Sequence, residues 1–213
     1  PAGIESQVAT TLEAAGLVDD VDGALHVDVT AAAQLLEQIP IDDQGATTAY
    51  DRDQFGQRWA DVDRNGCDTR NDILRRDLEN ETFKPGTHDC LVLTGTLHDI
   101  YTGITIAFVR GQGTSEDVAI DHVFALSLAW QHGASTWSPE AREVFANDPI
   151  NLQATDGPTN ASKSDNGPGS WLPPNRTQQC EYVTRFAYIA ASYELSLSSS
   201  DHAAIAAVLA TCR

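Results

Sequence analysis

The chain has 213 residues, 41% of them hydrophobic, with 31 Asp and Glu against 13 Lys and Arg and a formal net charge of −18. That length supports one domain with a substantial core, or one domain with a small appendage. No apolar run approaches the roughly 20 residues that cross a bilayer, so the expectation is a soluble globular protein with no membrane partner. Nucleic-acid binders ordinarily carry a basic face, so any nucleic-acid site here has to be a local cluster, helped by cations and sensitive to salt. Pro1 opens no basic-then-apolar leader, which leaves a cytosolic protein or a mature form whose signal has been removed.

The cysteines are Cys67, Cys90, Cys180 and Cys212. None forms a C-x-x-C pair, which argues against a zinc ribbon and for two disulfides. Three connectivities are open, and the sequential one, Cys67–Cys90 with Cys180–Cys212, needs the least rearrangement of the chain. Paired cysteines imply an oxidising compartment, hence secretion or the cell envelope.

Residues 1–48 read as an acidic, helix-leaning appendage without visible chemistry. Val8, Leu12, Ala15 and Leu17 form a rough apolar stripe, VDDVDG (18–23) reads as a turn, and 29–39 has helical spacing that stops before Pro40. DDQGATT (42–48) reads as a linker. From residue 49 the texture changes. Asp61-x-Asp63-x-Asn65-Gly66, with Asp72 at the twelfth position, resembles half of a calcium loop, a candidate second metal site; the shorter Asp stands where such loops place a bidentate Glu. A helix is expected at 71–78, a hairpin from 90–97 and 102–109, and a strand at 118–122. A helical piece at 125–131 follows. Ser138-Pro139-Glu140 opens another helix, expected to turn Ala141, Val144 and Phe145 inward. A short strand at 150–154 leads into a short helix holding Asn160 and Lys163. Trp59, Trp137 and Trp171 are expected as core anchors, and the chain from Gln178 onward is helical, ending near Cys212.

The chemistry concentrates in 118–171. Asp121 and His122 close a β-branched run, Asn151 opens a second apolar run, and Asn160 stands on the short helix. Adjacent strand residues point to opposite faces, so Asp121 and His122 can share a site only where the strand ends. Asp121 then offers a hard oxygen to a divalent ion, Asn160 a neutral amide oxygen, and His122 a base whose reference pKa lies near neutrality. A cation with so few protein ligands keeps its waters, which is magnesium's behaviour at phosphoryl chemistry; manganese and calcium are the alternatives.

These residues resemble an HNH endonuclease of the ββα-metal class, in particular the HNH domain at the C-terminal end of GmrSD-type restriction enzymes and its secreted bacterial relatives. Asp121-His122 is similar to that family's paired metal ligand and general base, Asn151 to the Asn that holds the loop carrying the base, and Asn160-x-x-Lys163 to the helix with the last metal ligand. Gly133-Ala134-x-x-Trp137, the stretch from Phe145 to Leu152, Trp171-x-Pro173-Pro174, and upstream YDRDQFGQRW and NGCDTRNDIL extend the likeness from Tyr50 to Arg213. The resemblance implies an α+β fold with a ββα-metal core at about 118–171 inside a nuclease domain at 49–213, two disulfides, and hydrolysis of DNA, or also RNA, with low sequence specificity outside a bacterial cell or in its envelope. It makes His122, Asp121, Asn151 and Asn160 the catalytic group, with Asp121 and Asn160 on the metal. Lys163, Arg70, Arg176 and Arg185 are candidate substrate contacts. No protein partner can be inferred. The competing reading is a catalytically silent calcium-binding envelope protein on the same scaffold, carried by the acidity and by Asp61–Asp72.

Overall fold

The computed structural model describes residues 4–21 and 24–212. Among them the protein is α+β, with eight α-helices and seven strands in three small antiparallel sheets. Helix α1 (Ile4–Ala14) buries Val8 and Leu12, and Leu17 follows them into the core. Ala15 lies past the helix end and is exposed. The stretch read as a turn is partly strand: β1 (Val18–Val21) pairs with β2 (Ala24–Val27) in the register Val18↔Val27. Asp22 and Gly23 lie outside the described residues. Among the described residues up to 48 there are thus two helices flanking the β1–β2 pair, the second being α2 (Val29–Leu36), whose N-terminus is capped by Asp28 accepting from Ala31 N at 2.9 Å.

These elements share one apolar core with the C-terminal helices α7 (Gln179–Ser192) and α8 (Ser199–Leu209). Leu12, Ala32 and Leu36 belong to the same cluster as Phe186, Ile189 and Ile205. Residues 42–48 are not a free tether either. Asp42 N donates to Leu197 O at 2.8 Å, Ala46 N to Gln131 Oε1 at 3.1 Å, and Trp130 Nε1 to Thr48 O at 2.9 Å.

A second apolar cluster lies under the three-stranded sheet β3 (Leu78–Phe83), β4 (Val92–His98) and β5 (Thr105–Val109), against α3 (Thr69–Asp77). Strand β3 has no counterpart in the sequence pattern, because LENETF carries apolar residues only at its ends. Its pairing with β4, Leu78↔Leu97 and Phe83↔Val92, makes it a strand. Then β6 (Val118–His122) pairs antiparallel with β7 (Leu152–Asp156), and α6 (Gly157–Lys163) follows directly, completing a ββα unit. Helices α4 (Leu126–Gln131) and α5 (Pro139–Ala146) fill the long β6–β7 connection. Ser138 caps α5 by accepting from Ala141 N. The buried face of α5 is Arg142, Phe145 and Ala146, while Ala141 and Val144 face solvent. Phe145 sets that face, and the Arg142 guanidinium is taken in with it because backbone acceptors await it, Gln54 O at 2.8 Å and Trp137 O at 2.5 Å.

Both disulfides take the sequential pairing. Cys67–Cys90 ties the loop before α3 to the approach to β4, and Cys180–Cys212 ties α7 to the chain after α8. Replacing Cys180 and Cys212 together by alanine is expected to lower stability by about 3 kcal/mol, read by urea denaturation without reductant. A loss below about 1 kcal/mol would mean that core packing alone holds α8 in place.

Candidate active site

The pleat of β6 sends Asp121 and His122 to opposite faces, as the alternation of a strand demands. Because the strand ends at His122, both still line one open cavity of about 560 Å³, together with Asn160 of α6. The structure therefore brings the three residues onto one cavity.

Asp121 is 4% exposed and each of its oxygens has a donor. Lys163 Nζ lies 3.0 Å from Oδ1, and the Tyr101 hydroxyl donates to Oδ2 at 2.8 Å. Burial pushes the carboxyl up, while Lys163 and Tyr101 pull it back. Two donors converging on it is the geometry of an ionised carboxylate. Lys163, fully buried, spends its ammonium on Asp121 and on His122 O at 2.8 Å. Lys163 joins the C-terminal end of α6 to the end of β6, which only packing between those elements could bring together.

The His122 ring is fixed at two places. Nε2 hydrogen-bonds to Ala146 O at 2.9 Å, and the Trp59 ring lies nearly parallel, 11° off, at 6.2 Å between centroids. A carbonyl can only accept, so Nε2 carries the proton and Nδ1 holds the free lone pair. Burial lowers the imidazole pKa to about 4, assisted by the cations Arg52 and Lys163 and opposed by the bond to Ala146. The ring is unprotonated at neutral pH, the state a proton acceptor needs.

Asn151 is fully buried, and its side-chain hydrogen bonds go to backbone and not to the imidazole. Its side chain accepts from Phe124 N at 2.8 Å and donates to Phe124 O at 3.1 Å, and its carbonyl accepts from Val123 N at 2.8 Å. It therefore pins the backbone just beyond His122. Asn151 is itself held from behind, where Arg185 donates to Ile150 O, Leu152 O and Gln153 Oε1, and Arg76 to Pro149 O and Leu152 O. Asn151→Ala should cost about 1–3 kcal/mol for each Phe124 group left unpaired. It should also slow any reaction that uses His122, as compared by denaturation and by initial rates.

The other candidate contacts lie elsewhere. Arg185 is 3% exposed, with its donors on the carbonyls and the Gln153 side chain named above. Arg70 donates to Ser115 O and Val118 O, and neither Arg70 nor the exposed Arg176 lines the cavity. Side chains that also line it are Tyr50, Arg52 and Arg58, with Trp59, which is half-buried, packs against the second apolar cluster as expected of an anchor, and forms part of the wall as well. The signal was available in YDRDQFGQRW, where aromatic and basic residues alternate, yet nothing local says that this stretch faces His122. Asp61, Asp63, Asn65 and Asp72 do come together. Their carboxylates accept from Asn65 N, Gly66 N and Asn65 Nδ2, so the loop is wound on its own N–H groups.

Asp121 and Asn160 suit a hard divalent ion. Each Asp121 oxygen keeps a lone pair beyond its one protein donor, and the Asn160 amide has no hydrogen bond among the described residues. Among those residues no three His, Cys, Asp or Glu side chains are grouped to hold a metal, so an ion here would keep mostly water and substrate oxygens, as magnesium does.

Comparison with known proteins identifies a family. Residues 68–208 match the family of GmrSD restriction endonucleases, C-terminal domain. A relative from Arthroderma benhamiae, described as an uncharacterized secreted protein, is 34% identical over 185 residues, 86% of this chain and 85% of its own length. No solved structure matches the chain. A ββα unit with Asp121 and His122 at the end of its first strand, together with a match over most of the chain, places this protein in the GmrSD restriction endonuclease C-terminal domain family.

Proposed function

We propose that the protein is a secreted, metal-dependent endonuclease that hydrolyses phosphodiester bonds in DNA, and in RNA, with little sequence preference. Membership of a restriction-endonuclease family supports nuclease chemistry. The carrying observation is His122: a neutral imidazole at the rim of an open cavity, Nε2 committed to Ala146 O and Nδ1 free, beside the oxygen donors Asp121 and Asn160. Nδ1 takes a proton from a water aligned with the scissile phosphorus, and Ala146 O holds the ring's orientation while the imidazolium forms. Asp121 and Asn160 would hold the ion. Bound there, a magnesium ion supplies neutralisation of the charge that builds on the phosphoryl and leaving oxygens. Asn151 keeps the backbone after His122 from drifting, and Lys163 keeps the Asp121 carboxylate ionised and aimed. Low specificity follows from the lack of any separate base-reading element among the described residues.

Secretion is supported by the two disulfides and the secreted relative. Among the described residues no helix is long and apolar enough to cross a membrane.

The test is nicking of supercoiled plasmid in magnesium, with EDTA and His122→Ala as controls. Magnesium-dependent nicking that EDTA stops and the variant lacks is expected. Equal nicking by wild type and variant would place the activity elsewhere.

A further inference from the structure

Part of the cavity wall comes from residues 50–59, upstream of the residues that match the family. This segment is built in. Phe55 is fully buried, with ring centroids 6.2 Å from Trp130 and 6.4 Å from Phe145. Helix α5 grips it twice: Arg142 Nε donates to Gln54 O at 2.8 Å, and Glu143 Oε1 accepts from Gln57 N at 3.1 Å. At its end Trp59 lies against the His122 ring.

The segment brings two cations, Arg52 and Arg58, to the cavity of a protein whose net charge is −18. The guanidiniums of Arg76, Arg142 and Arg185, by contrast, are buried and engaged with Asp77, Gln153 or backbone carbonyls. Arg52 has a single long bond, to Gly56 O at 3.4 Å, and among the described residues no carboxylate is ion-paired with either cavity arginine. Asp165, on the same cavity, is bonded to Ser127 instead. Two guanidiniums with unused donors, lining the cavity that His122 also lines, match the planar oxygens of phosphate.

We infer that Arg52 and Arg58 bind the phosphates flanking the scissile linkage of a nucleic-acid strand, so that a wall outside the matched family segment supplies the substrate grip. The inference rests on the nuclease reading of His122. It also gives an acidic protein a local way to hold a polyanion: two contacts within one cavity in place of a basic face.

Binding of a fluorescein-labelled 20-base-pair DNA duplex to the full chain, in EDTA so that nothing is cleaved, tests it by anisotropy across a salt series. Arg52→Gln and Arg58→Gln should each weaken binding about ten-fold and flatten the slope of log K against log salt by about one. Arg52→Lys and Arg58→Lys, which keep the charge, should retain the slope. Lys84→Gln, an exposed cation away from the cavity, should leave affinity within about two-fold. Glutamine variants that fold normally and bind with the wild-type affinity and slope would overturn the inference, as would a wild-type chain that binds no DNA. A chain that binds through both arginines yet never cleaves in magnesium keeps this wall and refutes the nuclease reading. One that cleaves, with both glutamine variants unaffected, does the reverse.

Discussion

Replacing His122 by alanine is expected to slow phosphodiester cleavage by about 10²–10⁴-fold, the range over which a positioned general base contributes. The loss should fall on the turnover rate more than on substrate affinity, because the imidazole's work is done as the proton leaves the attacking water. Folding should survive. The ring is half-buried and contributes one hydrogen bond, to Ala146 O, and one contact, with Trp59, so the stability cost is about 1–2 kcal/mol. Single-turnover rates on a labelled duplex, set beside urea denaturation of both proteins, separate the two effects. A variant that keeps wild-type turnover removes His122 from the chemistry. One that no longer unfolds cooperatively reports a structural histidine.

Lys163→Met is expected to be the most destabilising single change at the site, by about 3–5 kcal/mol, because it strands the Asp121 carboxylate in the interior with only the Tyr101 hydroxyl for company. It also frees His122 O, which Lys163 Nζ bonds at 2.8 Å. The double variant Lys163→Met with Asp121→Asn should recover much of the loss, since a neutral amide carbonyl still accepts from Tyr101 and no charge remains buried. Neither protein should cleave: one has a mis-set carboxylate, and the other lacks the charged ligand. Denaturation midpoints at matched slope decide the matter. A single variant within about 1 kcal/mol of wild type would mean that solvent reaches Asp121 and that the pair is not structural.

How much of this was legible in advance depends on how local each signal is. The hairpin β4–β5, the strand β6 and the Ser138 cap of α5 were readable because periodicity and capping are written within a few residues. Strand β3 was not, since LENETF becomes a strand only by pairing with β4. The face that α5 buries was misjudged for a related reason. Val144 is apolar and Arg142 charged, yet Arg142 goes inside because Gln54 O and Trp137 O are waiting for it. Asp121, His122 and Asn160 were nameable as a set from order and residue type. Arg70, Lys163 and Arg185 are engaged with backbone carbonyls, Asp121 or Gln153, partners that could not be read in advance because a basic side chain carries no mark, in sequence, of whether it meets water, carbonyl or carboxylate.

The amino-acid sequence by itself determined the α+β class, that four cysteines without a C-x-x-C pair serve two disulfides, and that Asp121, His122 and Asn160 offer oxygen and imidazole donors within one stretch of chain. Each depends on spacing or on chemistry intrinsic to a side chain. Only the tertiary structure decided what surrounds them: that Tyr101 and Lys163 satisfy Asp121, that Asn151 holds backbone and not the imidazole, and that Arg52, Arg58 and Trp59 stand at the cavity. Those contacts join distant parts of the chain, and their energies come from burial and from donors meeting acceptors, which no local pattern records.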